Sequence, residues 1–241
     1  MPTTWHDGIV RKIELVSPNV RHFQVEVLGV PSFDFVAGQF ITLDLPIGEK
    51  RLQRWRSYSI ANAPNGSNQL ELCIVNAPEG LGSTYLFDEI QEGSMLKFKG
   101  PDGGFVLPEK IEKDLVFICT GTGIAPFRSM IHALQKSGKT HRKLHLIFGT
   151  QVETGILYRD EFEKLASEMP GFQYDVALSR QADWPGRKGH IHQIYLEQYS
   201  CPHPDVTFYL CGWRNMIDEA VDNLVVKLGY DRKQIHYELY G

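Results

Sequence analysis

Several short segments of this 241-residue chain combine residue types suited to phosphates or planar rings. Thr120-Gly121-Thr122-Gly123-Ile124-Ala125-Pro126 follows an apolar run and opens a helical pattern. Glycines there let backbone N–H groups approach a pyrophosphate, the helix offers its positive end, and Pro126 suits a first helical turn. An ordinary tight strand-to-helix turn is the alternative, because proline stands where a dinucleotide fingerprint has its third glycine. Ser179-Arg180 ends another apolar run. A hydroxyl beside a guanidinium suits the 2′-phosphate that distinguishes NADP from NAD, with Arg187 and Lys188 within reach; a solvated loop is the bland account. Cys211-Gly212 closes a third run, where a small polarizable thiol could lie against a nicotinamide ring or simply pack. Arg56-Ser57-Tyr58-Ser59 places an arginine and an aromatic on one face of a predicted strand, one for a phosphate and one to stack on an isoalloxazine. Gly80-Leu81-Gly82-Ser83-Thr84 opens a second helix with an anion-ready start, Ser83 or Thr84 serving as cap or phosphate ligand.

The totals narrow the chemistry. A net charge of −4 argues against general nucleic-acid binding. The 4 cysteines are scattered without metal-site spacing, and the 9 histidines form no helix-spaced pair flanked by carboxylates, so no metal is expected and redox chemistry would come from an organic cofactor. No window approaches the roughly 18 apolar residues of a membrane span, and no secretory signal is visible. The expectation is a soluble, cytoplasmic protein with reduced thiols.

The elements that must hold these segments fall into two sets. In the first hundred residues, Ile9–Val16, His22–Val27, Phe40–Leu45, Ser57–Ala61, Leu70–Val75 and Met95–Lys99 read as strands between turn-forming stretches, with one helix near Ser83–Glu89. That spacing predicts an antiparallel barrel or sandwich. Beyond Gly100-Pro101-Asp102-Gly103-Gly104, strands at Leu115–Cys119, Leu144–Phe148, Tyr174–Leu178 and Thr207–Cys211 alternate with helices at Phe127–Gln135, Arg159–Ser167, Ile191–Gln198 and Asn215–Leu228. Alternation predicts a parallel sheet, whose ligands sit beyond the strands' carboxyl ends. The predicted domains are residues 1–104 and 105–241.

Taken in order, Ala37-Gly38-Gln39-Phe40, Arg56-Ser57-Tyr58-Ser59, Gly82-Ser83-Thr84, Gly100-Pro101-Asp102-Gly103, Gly121-Thr122-Gly123-Ile124-Ala125-Pro126 and Cys211-Gly212 resemble the ferredoxin–NADP reductase family across nearly the whole chain. The resemblance implies a six-stranded antiparallel flavin barrel followed by a parallel nucleotide-binding sheet. It also implies FAD, NADP(H), and hydride transfer between nicotinamide and flavin. Carried over, Tyr58 would stack on the flavin, Arg56 would bind its phosphates, and Ser59 would hydrogen-bond near the N5 edge. The main chain of Cys73, Ile74 and Val75 would line the ring and ribityl chain, and Ser83 and Thr84 would hold the pyrophosphate. Cys211 would touch the nicotinamide where hydride passes. Chloroplast-type members end in a carboxylate followed by an aromatic covering the flavin; Glu238 and Tyr240 resemble that pair, with Gly241 one residue beyond and a frayed end strand as the alternative.

The implied activity is passage of electrons from NADPH through FAD to a separate soluble carrier, a ferredoxin or flavodoxin, since no iron–sulfur cysteine pattern is attached. Lys50, Arg51, Arg54 and Arg56 form a cationic cluster that could attract an acidic carrier, or serve solubility. Two other readings compete: an NADH-dependent reductase component of an oxygenase, and a flavin- or nucleotide-sensing module without turnover.

Overall fold

The computed structural model describes residues 4–138 and 141–240. By residue contacts the chain divides into two compact units. One runs up to Leu107 and includes Ala125–Lys136; the other comprises Pro108–Ile124 and the chain from Ser137 onward. No helix among the described residues is long and apolar enough to cross a membrane.

The first unit is built on β1 (Trp5–Ser17), β2 (Val20–Val27), β3 (Phe40–Asp44), β4 (Trp55–Ser59), β5 (Gln69–Val75) and β6 (Met95–Asp102). All neighbouring pairs are antiparallel, in the order β4-β3-β6-β1-β2-β5. A bridge between Ile60 and Leu72 joins the two outer strands and closes the barrel. Alternation supplies the core: in β2, Phe23, Val25 and Val27 are buried while Gln24 and Glu26 are only partly so. Phe98, Ile41, Leu43, Leu70 and Leu72 meet them inside. The expected helix is α2 (Leu81–Asp88). A four-residue helix, α1 (Arg51–Arg54), was not anticipated, being too short for periodicity to register.

The second unit holds a parallel sheet of β7 (Asp114–Thr120), β8 (Leu144–Thr150), β9 (Phe172–Leu178), β10 (Arg187–Lys188), β11 (Val206–Trp213) and β12 (Ile235–Tyr240), ordered β10-β9-β8-β7-β11-β12. From β7 the chain first moves outward through β8 and β9, then returns to β7's other side with β11. The order therefore reverses between β7 and β11, the switch point where open sheets bind ligands. The helices between these strands are α3 (Ile124–Ser137), nearly all of which groups with the first unit, α4 (Arg159–Glu168), α5 (His192–Gln198) and α6 (Arg214–Asp222). The long helix expected to Leu228 changes at Asn223 into a π-helical turn, in which the Leu228 N–H donates to the Asn223 carbonyl at 2.9 Å. The cause is a buried polar residue: the Asn223 side-chain amide donates to the Tyr195 hydroxyl (2.9 Å), and Lys227 donates back to its carbonyl oxygen (2.6 Å). Strand β10 has no counterpart among the expected strands; the C-terminal end strand is β12, which pairs with β11 from Phe208↔Ile235 to Trp213↔Tyr240.

Candidate functional site

In the barrel unit the predicted residues gather at the end where β4 and β5 part. Continuing the antiparallel register from the Ile60↔Leu72 bridge puts Ser59 across from Cys73 and Tyr58 across from Ile74. Ser59, Cys73 and Ile74 are buried and Val75 partly so. Tyr58 is half-buried against the core; burial pushes its phenol up to about 12, against the opposing pull of Arg56. It is therefore a neutral aromatic at physiological pH, able to present a ring face and an O–H. The Ser57 hydroxyl lies 3.0 Å from that of Thr42 across β3, so its side chain serves the sheet.

Arg56 lies along the start of α2. A Cβ on Gly82 would come within 2.8 Å of Arg56 Cγ, so only glycine lets the arginine stem cross here. The α2 N-cap is Gly80, which makes no side-chain cap, leaving the first-turn amides of Leu81, Gly82 and Ser83 without an intrahelical acceptor. The Thr84 N–H donates to the Gly80 carbonyl (2.9 Å). The Ser83 hydroxyl is spent on its own loop, donating to the Gly80 carbonyl (2.9 Å) and accepting from the Ala77 N–H (3.1 Å). What Ser83 and Gly82 offer an anion is main chain. Glycine-initiated amides beside a guanidinium, next to a tyrosine at a parted pair of strands, fit the phosphate and ring of a flavin dinucleotide.

In the second unit β7 runs through Thr120 into a tight turn, Gly121–Gly123, and then α3. Gly121 has φ +52°, and a Cβ there would meet nothing, so the backbone conformation rather than crowding calls for glycine. Gly123 is the reverse: a Cβ would lie 2.3 Å from the Cys211 carbonyl oxygen. The turn thus sits against β11 at the switch point, bringing Thr120, Gly121, Thr122 and Gly123 together with Cys211 and Gly212. Thr120 Oγ1 is buried there without a hydrogen-bond partner among the described residues. That orphaned hydroxyl, the turn and the helix start fit a nucleotide pyrophosphate.

Cys211 is fully buried and pairs in register with Cys119 on one side and Glu238 on the other. Burial, then the Glu238 carboxylate, pushes its thiol well up, opposed by a hydrogen bond with Tyr240. The thiol is therefore protonated, a soft packing surface rather than a nucleophile. Tyr240 pairs with Trp213 in β12. Gly241 lies outside the described residues.

Ser179 and Arg180 follow β9. Their amides donate to Thr150 (3.0 Å) and Gln151 (2.8 Å), and Arg180 is exposed. Arg187, expected nearby as a further cation, is bound to Glu197 at 2.7 Å. Of the cationic cluster, Arg54 is paired with Asp44 (2.8 Å). Arg51 and Lys99 instead flank the Trp55 ring at 4.9 and 4.2 Å, beside Leu52, which is 85 % exposed. Lys99 lies far from Trp55 in sequence and gave no signal.

Two family models match successive stretches of the chain. Residues 7–107 match the oxidoreductase FAD-binding domain, and residues 117–222 match the oxidoreductase NAD-binding domain. The chain is 35 % identical over 233 residues to ferredoxin–NADP reductase B of Sorangium cellulosum, covering 93 % of each. It is 32 % identical to the anthranilate 1,2-dioxygenase electron transfer component of Acinetobacter baylyi, covering 87 % of this chain and 60 % of that protein's length. A crystal structure of a ferredoxin NADP+ reductase from Neisseria gonorrhoeae, with bound FAD and NADP, superposes with a TM-score of 0.81 at 25 % identity, covering 99 % of both chains. The chain belongs to the ferredoxin–NADP reductase family, oxidoreductases that bind FAD in one domain and a nicotinamide nucleotide in the other.

Proposed function

We propose that the chain is an NADPH-dependent reductase of a soluble one-electron carrier, with residues 1–104 binding FAD and residues 105–241 binding the pyridine nucleotide. When bound, FAD supplies the acceptor for hydride and the release of electrons one at a time. The protein's part is to bind, orient and hold protons. Arg56 neutralises the flavin phosphates with the amides of Gly82 and Ser83, Thr84 flanking them on the same turn. Tyr58 stacks, Ser59 donates a hydrogen bond at the reactive edge, and the main chain of Cys73, Ile74 and Val75 lines the ring. The pyrophosphate of NADPH rests on Thr120, Gly121, Thr122 and Gly123, and Ser179 and Arg180 take its 2′-phosphate. Cys211 backs the nicotinamide, and Gly212 lets the Thr120 hydroxyl and the end of Met216 approach the strand beside it. Glu238 sets the charge beside that thiol, and Tyr240 covers the nicotinamide position until the nucleotide displaces it.

The observation that carries this reading is the packing of Gly123 on the Cys211 carbonyl, which joins a phosphate turn to a hydride-site residue at the switch point. The acceptor reading rests on Arg51 and Lys99 flanking Trp55, a cationic, aromatic patch complementary to an acidic carrier. The relative named as an anthranilate 1,2-dioxygenase electron transfer component supports a second reading, a reductase serving an oxygenase, for which NADH would be the donor.

Anaerobic bleaching of the flavin by NADPH and by NADH separates them. NADPH is expected to be preferred, and Arg180→Ala to lower kcat/KM for NADPH roughly 10–100-fold while sparing NADH, as for loss of a charge-assisted contact of about 1.5–3 kcal/mol. Equal use of both nucleotides with no effect of Arg180→Ala would favour the oxygenase reading. Reduction of an acidic ferredoxin or flavodoxin is expected to slow with salt; a flat response would remove the docking assignment.

A further inference from the structure

The loop carrying Ser179 and Arg180 is held by residues that no motif contains. Its first two amides are tied to Thr150 and Gln151 at the end of β8, and the Gln181 side-chain carbonyl accepts the Glu153 N–H at 2.7 Å. Trp184, whose backbone N–H donates to the Gln181 carbonyl at 3.4 Å, is only 7 % exposed. The Arg159 guanidinium lies 5.3 Å from the centre of its ring. Arg159 is itself fixed twice, donating to Glu153 (2.6 Å) and to Glu163 (2.8 Å). Tyr158, just before it, has a left-handed backbone at φ 55°, an uncommon conformation for a non-glycine residue that turns the chain into α4. Arg180 follows Ser179 directly and has no acidic partner among the described residues, whereas Arg187 is held by Glu197.

We propose that Arg159 and Trp184 are positioning residues that set the preference for a 2′-phosphorylated nucleotide, by keeping the loop from Ser179 to Trp184 in the one conformation that presents Arg180. This rests on the reading of Ser179 and Arg180 as the 2′-phosphate site. The physical reason is pre-organisation. A loop that visits the binding conformation only part of the time lowers apparent affinity by that fraction, and only for the ligand group it contacts. The stacked guanidinium and ring, with two carboxylates holding the guanidinium in place, oppose that loosening. The buried Trp184 Nε1 has no hydrogen-bond partner among the described residues, and the contact with Arg159 is made by the face of the ring.

Calorimetric titration of the flavin-loaded protein with 2′,5′-ADP and with 5′-AMP tests this at equilibrium, apart from turnover. Wild type is expected to bind 2′,5′-ADP more tightly, and Arg180→Ala to abolish the difference. Trp184→Leu and Arg159→Gln are each expected to weaken 2′,5′-ADP about tenfold while changing 5′-AMP less than about twofold. Trp184→Phe, which keeps a ring face, should restore the preference. In an Arg180→Ala background, Trp184→Leu should cost nothing further for 2′,5′-ADP. Arg159→Gln alters a half-exposed side chain and carries the test if Trp184→Leu does not fold. The proposal is overturned if folded Arg159→Gln protein keeps the full preference, or weakens both ligands alike. A wild-type preference that survives Arg180→Ala would instead overturn the phosphate reading beneath it.

Discussion

Gly82 and Gly123 are glycines because of what passes beside them, and the two neighbours differ in how far they can give way. A Cβ on Gly123 would meet backbone, the Cys211 carbonyl at 2.3 Å, so strand or turn must move. Gly123→Ala is expected to cost about 1–3 kcal/mol of stability and to weaken pyridine nucleotide binding while FAD stays bound, by chemical unfolding and by flavin difference spectra. A Cβ on Gly82 would meet the stem of Arg56, a flexible side chain. Gly82→Val should therefore push the guanidinium aside and lower the melting temperature, because the clash begins at Cγ near the strand and the helix position is buried. Flavin release on gel filtration should rise by roughly tenfold or more, as for a lost charge-assisted contact. Equal flavin retention by Gly82→Val and wild type would show that Arg56 does not hold the phosphates. Tyr240 sits beside the Cys211 thiol at the end of β12. If it covers the nicotinamide position, Tyr240→Ala should tighten NADP+ binding in a flavin difference titration, because the apparent affinity no longer carries the closed fraction.

At the scale of elements, helix α3 is tied to the barrel by a small charged cluster. Arg128 donates to the Glu71 carboxylate at 2.6 Å and to the Ala61 carbonyl at 3.0 Å, and Ser129 donates to the Asn62 carbonyl at 2.6 Å. His22 lies 3.4 Å from Glu71 on its other side. Burial raises the Glu71 pKa, but hydrogen bonds from His22 and Arg128 outweigh it and bring the carboxyl down from 4.5 to about 2. Because the folded value is the lower one, the cluster adds stability above about pH 4.5 and loses it as pH falls towards 2. The loss is on the order of 2–3 kcal/mol. Asp175 behaves alike: a hydrogen bond from His145 leads in holding it from 3.8 down to about 2, with burial opposing. Unfolding free energy measured against pH should therefore fall through this window, and Glu71→Gln should flatten the part that belongs to the barrel. An acid limb unchanged by Glu71→Gln would place the linkage elsewhere.

At the scale of the whole molecule, the barrel and the parallel sheet each have their own hydrophobic core; if each binds the ligand proposed for it, ligands should stabilise them separately. Free FAD at about one hundred times its Kd should add about 2.7 kcal/mol to the unit that binds it. Calorimetry is expected to show FAD raising one transition and 2′,5′-ADP the other. A single transition shifted equally by either ligand would mean that the units unfold as one. The formal charge of −4 does not describe the face that would meet a carrier, where Arg51 and Lys99 flank Trp55.

Alternation and turn residues located all six barrel strands and the main strands of the parallel sheet, because each of those elements buries one face or both and the pattern is local. They did not locate β10, which is two residues long, and β12 stood only as a frayed end strand, because its pairing with β11 is made only in the folded sheet. Short glycine-rich and polar segments marked where ligands could bind, because their chemistry is carried by adjacent residues. Distance in sequence hid the rest. That Arg56 crosses Gly82, that the Ser83 hydroxyl is committed to its own loop, that Arg187 is neutralised, and that Arg159 stacks on Trp184 are facts of residues brought together by chain folding. Residue type limits what a side chain can do; which of its options is already taken by a neighbour is decided only when the tertiary structure brings that neighbour to it.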